Sequence, residues 1–255
     1  MHKLFAVLVC VMLAASCAFR HVPAQKAPRF RVLVLADSGG GHVRFSAAGK
    51  VWLNKLAADS GFAIDYLVSP ETVTKELLKQ YRLFLQLDYP PYPWSNEAQE
   101  AFEDYIDKGR GGWIGFHHPT LLGVFDNYPM WQWFSGFMGG IQFKKHIPGG
   151  TSAMLKVEDS MHPAFKNVPT SFITKDEWYI YDKSPRPNVH VLASIDEATY
   201  NPAKEVKMGD HPVIWTNEHV KARNIYIAMG HFPELFNDTA FTTLFRNAIF
   251  WAAGK

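Results

Sequence analysis

The sequence has little cysteine: of its 255 residues only Cys10 and Cys17 carry a thiol, and both lie near the amino terminus. Past them the chain holds no residue for a disulfide, a thiolate metal ligand or a thiol nucleophile. It also lacks charge of one sign. Twenty-six Lys and Arg against 24 Asp and Glu leave a formal net charge of +2, and the basic residues are scattered, which excludes a nucleic-acid footprint. No long hydrophobic run is present; the apolar residues 4–15 are too few to span a bilayer. There is no Walker loop, no G-x-G-x-x-G fingerprint, no internal repeat and no stretch in the middle that reads as a linker, so one domain is expected.

What the amino terminus does contain is a short basic start at His2 and Lys3, the apolar run, and small residues up to Cys17. This is the pattern of a secretory signal. The run Leu13-Ala14-Ala15-Ser16-Cys17 resembles a bacterial lipobox, which makes residues 1–17 a lipoprotein signal and Cys17 the lipidated first residue of the mature chain. Cleavage after Ala18 by the ordinary signal peptidase is the alternative. Residues 18–28 then read as a tether and 29–255 as the domain. The expected location is the cell envelope, with membrane contact only through the lipid anchor.

The domain opens with the nearly continuous apolar run of residues 30–36, the mark of a strand buried on both faces of a helix-covered parallel sheet. Helix at 45–60, strand at 63–68, helix at 70–80, strand at 81–87, helix at 95–108 and strand at 112–116 follow, an α/β alternation. Ser95 is placed to cap its helix and Gly109 to close it. Residues 151–206 change to short β-rich runs, expected as strands added to one domain. Strands at 212–216 and 224–229 lead to a last helix from about residue 238, with Phe241, Leu244, Phe245, Ala248, Ile249 and Ala252 on one face. Trp131, Trp133, Phe134 and Phe137 suit either a sugar-stacking wall or a helix packed on the core.

Ligands of open α/β sheets sit beyond the carboxyl ends of the strands. Applied here, that rule selects histidines. After the first strand comes Asp37-Ser38-Gly39-Gly40-Gly41-His42, where Gly40 and Gly41 permit close backbone approach and His42 follows. After the fourth comes Gly115-Phe116-His117-His118-Pro119, with His117 where a nucleophile elbow holds its reactive side chain. After the last comes Gly230-His231-Phe232-Pro233-Glu234, and His146 follows a Gly-Gly turn. Asp176 and Glu177 project to opposite faces if extended, so one of them enters a given cleft; Glu177 is favoured because Asp176 can bond the backbone in a turn. His162 reads as a turn residue. His211, before a buried strand, lies away from the cleft unless that strand is antiparallel, and His190 and His219 read as structural or exposed.

Gly230-His231-Phe232-Pro233-Glu234 resembles the Gly-x-x-His-Pro-Glu context of the catalytic histidine in class I glutamine amidotransferases, yet Gly115-Phe116-His117 stands where those enzymes have their cysteine elbow. Together with Gly139-Gly140, Met161-His162-Pro163, Asp176-Glu177-Trp178-Tyr179, residues 211–216 and 249–252, these motifs are similar to the ThuA-like (trehalose-utilisation) family. The resemblance implies a flavodoxin-like, class I glutamine amidotransferase-like fold: a mostly parallel sheet flanked by helices, with a β-rich insertion. It implies carbohydrate metabolism through 3-keto-sugar intermediates, with a small-molecule carbohydrate as partner. The expected catalytic residues are His117, His231 and Glu177, and the expected substrate contacts are His42, Gly40, Gly41, His118, His146, Asp176 and Tyr179. Histidine and carboxylate groups suit proton transfer beside a ketone without a redox cofactor. Two alternatives stand beside it: a metal-assisted hydrolase and a non-catalytic sugar-binding lipoprotein. No cofactor is required and no metal ligand is assigned, since no His-x-x-x-His spacing is present; a divalent ion such as zinc remains compatible with imidazole donors.

Overall fold

The computed structural model describes residues 27–36, 39, 42–147, 149–200 and 206–254. The expected leader with Cys17, most of the tether, and Gly40 and Gly41 lie outside the described residues. Among the described residues no helix is long and apolar enough to cross a membrane.

Among the described residues eleven strands form in chain order: β1 (Arg31–Ala36), β2 (Ala63–Leu67), β3 (Leu83–Leu87), β4 (Gly112–Phe116), β5 (Phe143–His146), β6 (Thr151–Val157), β7 (Ser171–Asp176), β8 (Tyr179–Tyr181), β9 (His190–Asp196), β10 (Pro212–Thr216) and β11 (Asn224–Ile227). The helices are α1 (Val43–Ser60), α2 (Lys75–Leu78), α3 (Asn96–Asp107), α4 (Gln132–Phe137) and α5 (Thr239–Ala252). Nine strands make one sheet in the order β2-β1-β3-β4-β11-β10-β9-β6-β7, while β5 and β8 pair separately. From β2 to β11 the neighbours run parallel; β10, β9, β6 and β7 continue the sheet antiparallel. Of the β-rich stretch, β6, β7 and β9 therefore extend the large sheet, while β8 leaves it to pair with β5.

Alternation along β4 sorts the helices into two layers. Trp113 points to one face and meets Phe102 of α3 and Phe134 and Phe137 of α4, while Phe116 on the other face packs on Phe45 of α1 and Phe241 and Phe245 of α5. Each of these rings is almost fully buried, and a large apolar side chain so buried stabilises by about 1.5–3 kcal/mol. The aromatic set around Trp131 is consequently core: Phe134 and Phe137 close over Trp113, and the Trp131 indole N–H donates to Glu103.

Local signals account for the helix ends. The Ser95 hydroxyl accepts from Ala98 N–H, Asp238 accepts from Ala240 and Phe241 N–H, and Gly109 after α3 takes the left-handed φ of 64° that glycine adopts without strain. The helix expected at 70–80 is broken. Pro70–Thr72 is a single 3-10 turn capped by Ser69, Val73 is extended, and Thr74 caps the separate α2 by accepting from Leu77 N–H. Two side-chain caps five residues apart compete for one segment, and the β-branched pair between them favours the extended break.

Candidate functional site

β4 is buried along its whole length, and the chain leaves it at His117 with φ 56° and ψ −84°. Such a positive φ is uncommon for a residue with a Cβ and marks a strained turn. Three groups hold it. His117 N–H donates to Ile227 O at 3.0 Å, and its carbonyl accepts from Tyr226 Oη at 2.9 Å and Thr120 Oγ1 at 3.1 Å. The ring is fixed as well: Nδ1 donates to Ala228 O at 2.8 Å, which in the neutral ring leaves the lone pair on Nε2. That Nε2 is buried and has no hydrogen-bond partner among the described residues. Gly230 makes room, because a Cβ there would stand 2.7 Å from His117 Cβ and 3.1 Å from Asp88 Oδ1.

Five other segments bring side chains to this turn. His42, on the residue before α1, sets its Nε2 2.8 Å from Nδ1 of His231, which follows β11. Glu177, between β7 and β8, puts Oε2 at 3.4 Å from His117 Nε2 and 3.5 Å from His231 Nδ1, and Oε1 at 3.5 Å from Nε2 of His146. His146, placed by the sequence only as following a Gly-Gly turn, ends β5 and pairs with Tyr179, so it arrives on a strand. His118 donates Nδ1–H to Asp88 O at 2.8 Å and stands with its ring centroid 4.0 Å from that of His42. The Tyr179 ring, 4.2 Å from that of His117, forms a buried wall.

Asp176, expected at the substrate, does not reach the cleft. It is fully buried, and its carboxylate accepts backbone N–H groups from Glu177 at 2.7 Å, Gly230 at 3.0 Å and His231 at 3.2 Å. It therefore anchors the two segments that carry Glu177 and His231, the turn role foreseen for it. Glu177 is the member of the pair that faces the histidines.

Charge in the cluster is uneven. Burial lowers His42 to about 3, helped by His117 and His231, and burial likewise holds His118 well below the usual imidazole range, so both are neutral at neutral pH. For Glu177 burial acts upward, but contact with His117 and His231 outweighs it and holds the carboxylate ionised. The same carboxylate raises His231. One ionised oxygen pair is thus surrounded by imidazoles, one of which is drawn toward its protonated form.

The expected residues His42, His117, His118, His146, Glu177, Tyr179 and His231 are brought together; Asp176 lies behind them. His211 lies on the cluster side after all, because β10 runs antiparallel to β11; its Nε2 bonds Tyr179 O at 3.0 Å and its Nδ1 bonds Glu197. His162 caps a 3-10 turn and rests against Trp251, while His190 pairs with Asp159 and Glu218. Asp88 was missed. It is the first residue after the apolar run of β3, buried and at φ 58°, and the strand-end rule applied to that run selects it.

The set offers a lone pair at His117 Nε2, an ionised carboxylate and a polarised imidazole within one small volume. His42, His117, Glu177 and His231 each turn one nitrogen or oxygen atom inward, all four within 4.8 Å of one another.

A family model described as ThuA, trehalose utilisation, matches residues 31–252. Among solved structures, a ThuA-like protein from Bacteroides uniformis ATCC 8492 is 31% identical with a TM-score of 0.77, over 90% of this chain and 94% of that one. A second ThuA-like protein, from Parabacteroides merdae ATCC 43184, is 21% identical with a TM-score of 0.64, over 89% of this chain and 91% of that one. The glutaminase domain of Trypanosoma brucei CTPS, with bound acivicin, shares the fold at 10% identity and a TM-score of 0.53, over 89% of this chain and 94% of that one. No curated protein sequence matches.

Proposed function

The chain belongs to the ThuA family, and on that premise we propose that it is an enzyme of carbohydrate utilisation that transforms a sugar or 3-keto-sugar at the cluster around Glu177. The observation that carries the proposal is the convergence of His117, His146 and His231 on one carboxylate, within 3.5 Å, at the carboxyl ends of the parallel strands. A ketone acidifies the neighbouring C–H, and enolisation, isomerisation or elimination then needs a group to take the proton and a facing group to stabilise the oxygen. His117 turns a fixed lone pair toward the cleft, His231 carries a proton toward Glu177, and Glu177 holds the charge between them. A cysteine nucleophile is replaced by His117 at the elbow, so acyl transfer of the amidotransferase kind is not proposed. The leader and the lipobox-like run ending at Cys17 support a location in the cell envelope.

Proton NMR in D2O tests the proposal, with purified protein and a panel of glucosides and their 3-keto forms run beside His117→Ala. The expected result is loss of the signal next to the ketone, or a new product, with wild type only. Line broadening without turnover would mean a sugar-binding protein instead.

A further inference from the structure

We infer that His42, His117, Glu177 and His231 form a binding site for one divalent transition-metal ion. The inference rests on reading this cluster as the reaction centre and names what makes it electrophilic.

The donor chemistry selects the ion. Three imidazoles and one carboxylate suit zinc and its neighbours, whereas magnesium and calcium require mostly oxygen. The spacing fits too. Bonds of about 2.0–2.1 Å to a tetrahedral ion put neighbouring donors about 3.3 Å apart, and His117 Nε2 and His231 Nδ1 stand 3.4 and 3.5 Å from Glu177 Oε2. Even the widest pair, within 4.8 Å, closes to that separation by a movement of about 1.5 Å, within reach of a rotamer adjustment.

Orientation is the stronger argument. A metal-bound imidazole almost always donates its other N–H to a carbonyl or carboxylate, which fixes the tautomer. His117 already does so through Nδ1 to Ala228 O, leaving a buried Nε2 lone pair aimed at a carboxylate oxygen. Two acceptors facing each other at 3.4 Å repel unless positive charge lies between them. His42 and His231 share one proton across 2.8 Å on the other side of the same space. An ion would replace that proton, neutralise Glu177 and polarise a sugar oxygen entering as a further ligand. His146, which meets the other oxygen of Glu177, stays outside the set, and with the ion bound it takes over the proton transfer that His117 and His231 give up as ligands.

The test is direct metal binding. Purified protein stripped with chelator is titrated with Zn2+ and separately with Co2+, beside His42→Ala, Glu177→Gln and the control His162→Ala. One equivalent of Zn2+ per chain is expected in wild type and control. In the two site variants Kd should rise more than about 100-fold, beyond the loss that follows removal of an outer partner. Absence of stoichiometric binding, or equal binding by all four proteins, overturns the inference. Should the site variants fail to fold, wild type with Co2+ decides: strong visible bands of a four- or five-coordinate ion support it, and the weak bands of a hydrated ion overturn it. Stripped protein that binds no Zn2+ yet still turns over sugar refutes the metal alone; Zn2+ uptake with no turnover refutes the enzyme reading alone.

Discussion

If the turn at His117 is strained, glycine there should be more stable than alanine, the reverse of their usual order. His117→Ala and His117→Gly both delete the same fully buried ring and the bond to Ala228 O, so those losses cancel in the comparison. What differs is the Cβ at φ 56°. A side chain held in such a conformation costs about 1–3 kcal/mol, while glycine forfeits about 0.5–1 kcal/mol through the entropy of its unfolded chain. The glycine variant is therefore expected to exceed the alanine variant by about 1 kcal/mol, and by no more than about 2.5 kcal/mol. Urea unfolding at constant m measures this directly, and each kcal/mol should appear as about 2–4 °C in Tm for a domain of this size. Alanine equal to or more stable than glycine would refute strain at the elbow.

Further outcomes follow from the same geometry. Glu177→Gln should lower the His231 pKa, which Glu177 holds up, and imidazole NMR titration reads it; an unmoved His231 means the two are not coupled. Gly230→Ala drives a Cβ to 2.7 Å from His117 Cβ; overpacking of this kind costs about 1–3 kcal/mol, and unchanged stability would show that the two segments are not in close contact. His162 is lowered by burial to about 4, against about 6.5 in an unfolded chain. Its contribution is thus complete above pH 6.5 and is lost as pH falls toward 4, because only the unfolded chain takes up the proton. His162→Gln should flatten the acid limb of stability in that window, and a limb of undiminished slope would assign it to other groups.

Much of this was readable from residue patterns. β4 and β10 occupy the expected residues because continuous apolar runs bounded by Gly and Pro leave little choice of register. β7 was not marked as a strand of its own: it is the edge of the sheet, and exposed Ser171, Ile173 and Lys175 dilute its alternation. The strand-end rule found His117 and His231, since it needs only the end of each run. It could not pair His42 with His231, which are 189 residues apart and meet only through the sheet order. His211 illustrates the same limit, for an apolar run does not state its direction, and the antiparallel course of β10 reverses which end faces the cluster.

Thr120, Tyr181 and Tyr226 join their hydroxyls at 2.7–2.8 Å directly beneath the His117 carbonyl. A carbonyl has no proton to give, so Tyr226 donates to it, and Thr120, whose single proton reaches both Tyr226 Oη and that carbonyl, accepts from Tyr181. The chain of hydroxyls accordingly has a sense, running from β8 to the elbow. Tyr181 lies two residues past Tyr179, on the strand that pairs with His146, and so the ribbon holding one edge of the cluster is tied to the backbone of its centre. A change confined to that ribbon would be transmitted as a reorientation of protons at a peptide it never touches.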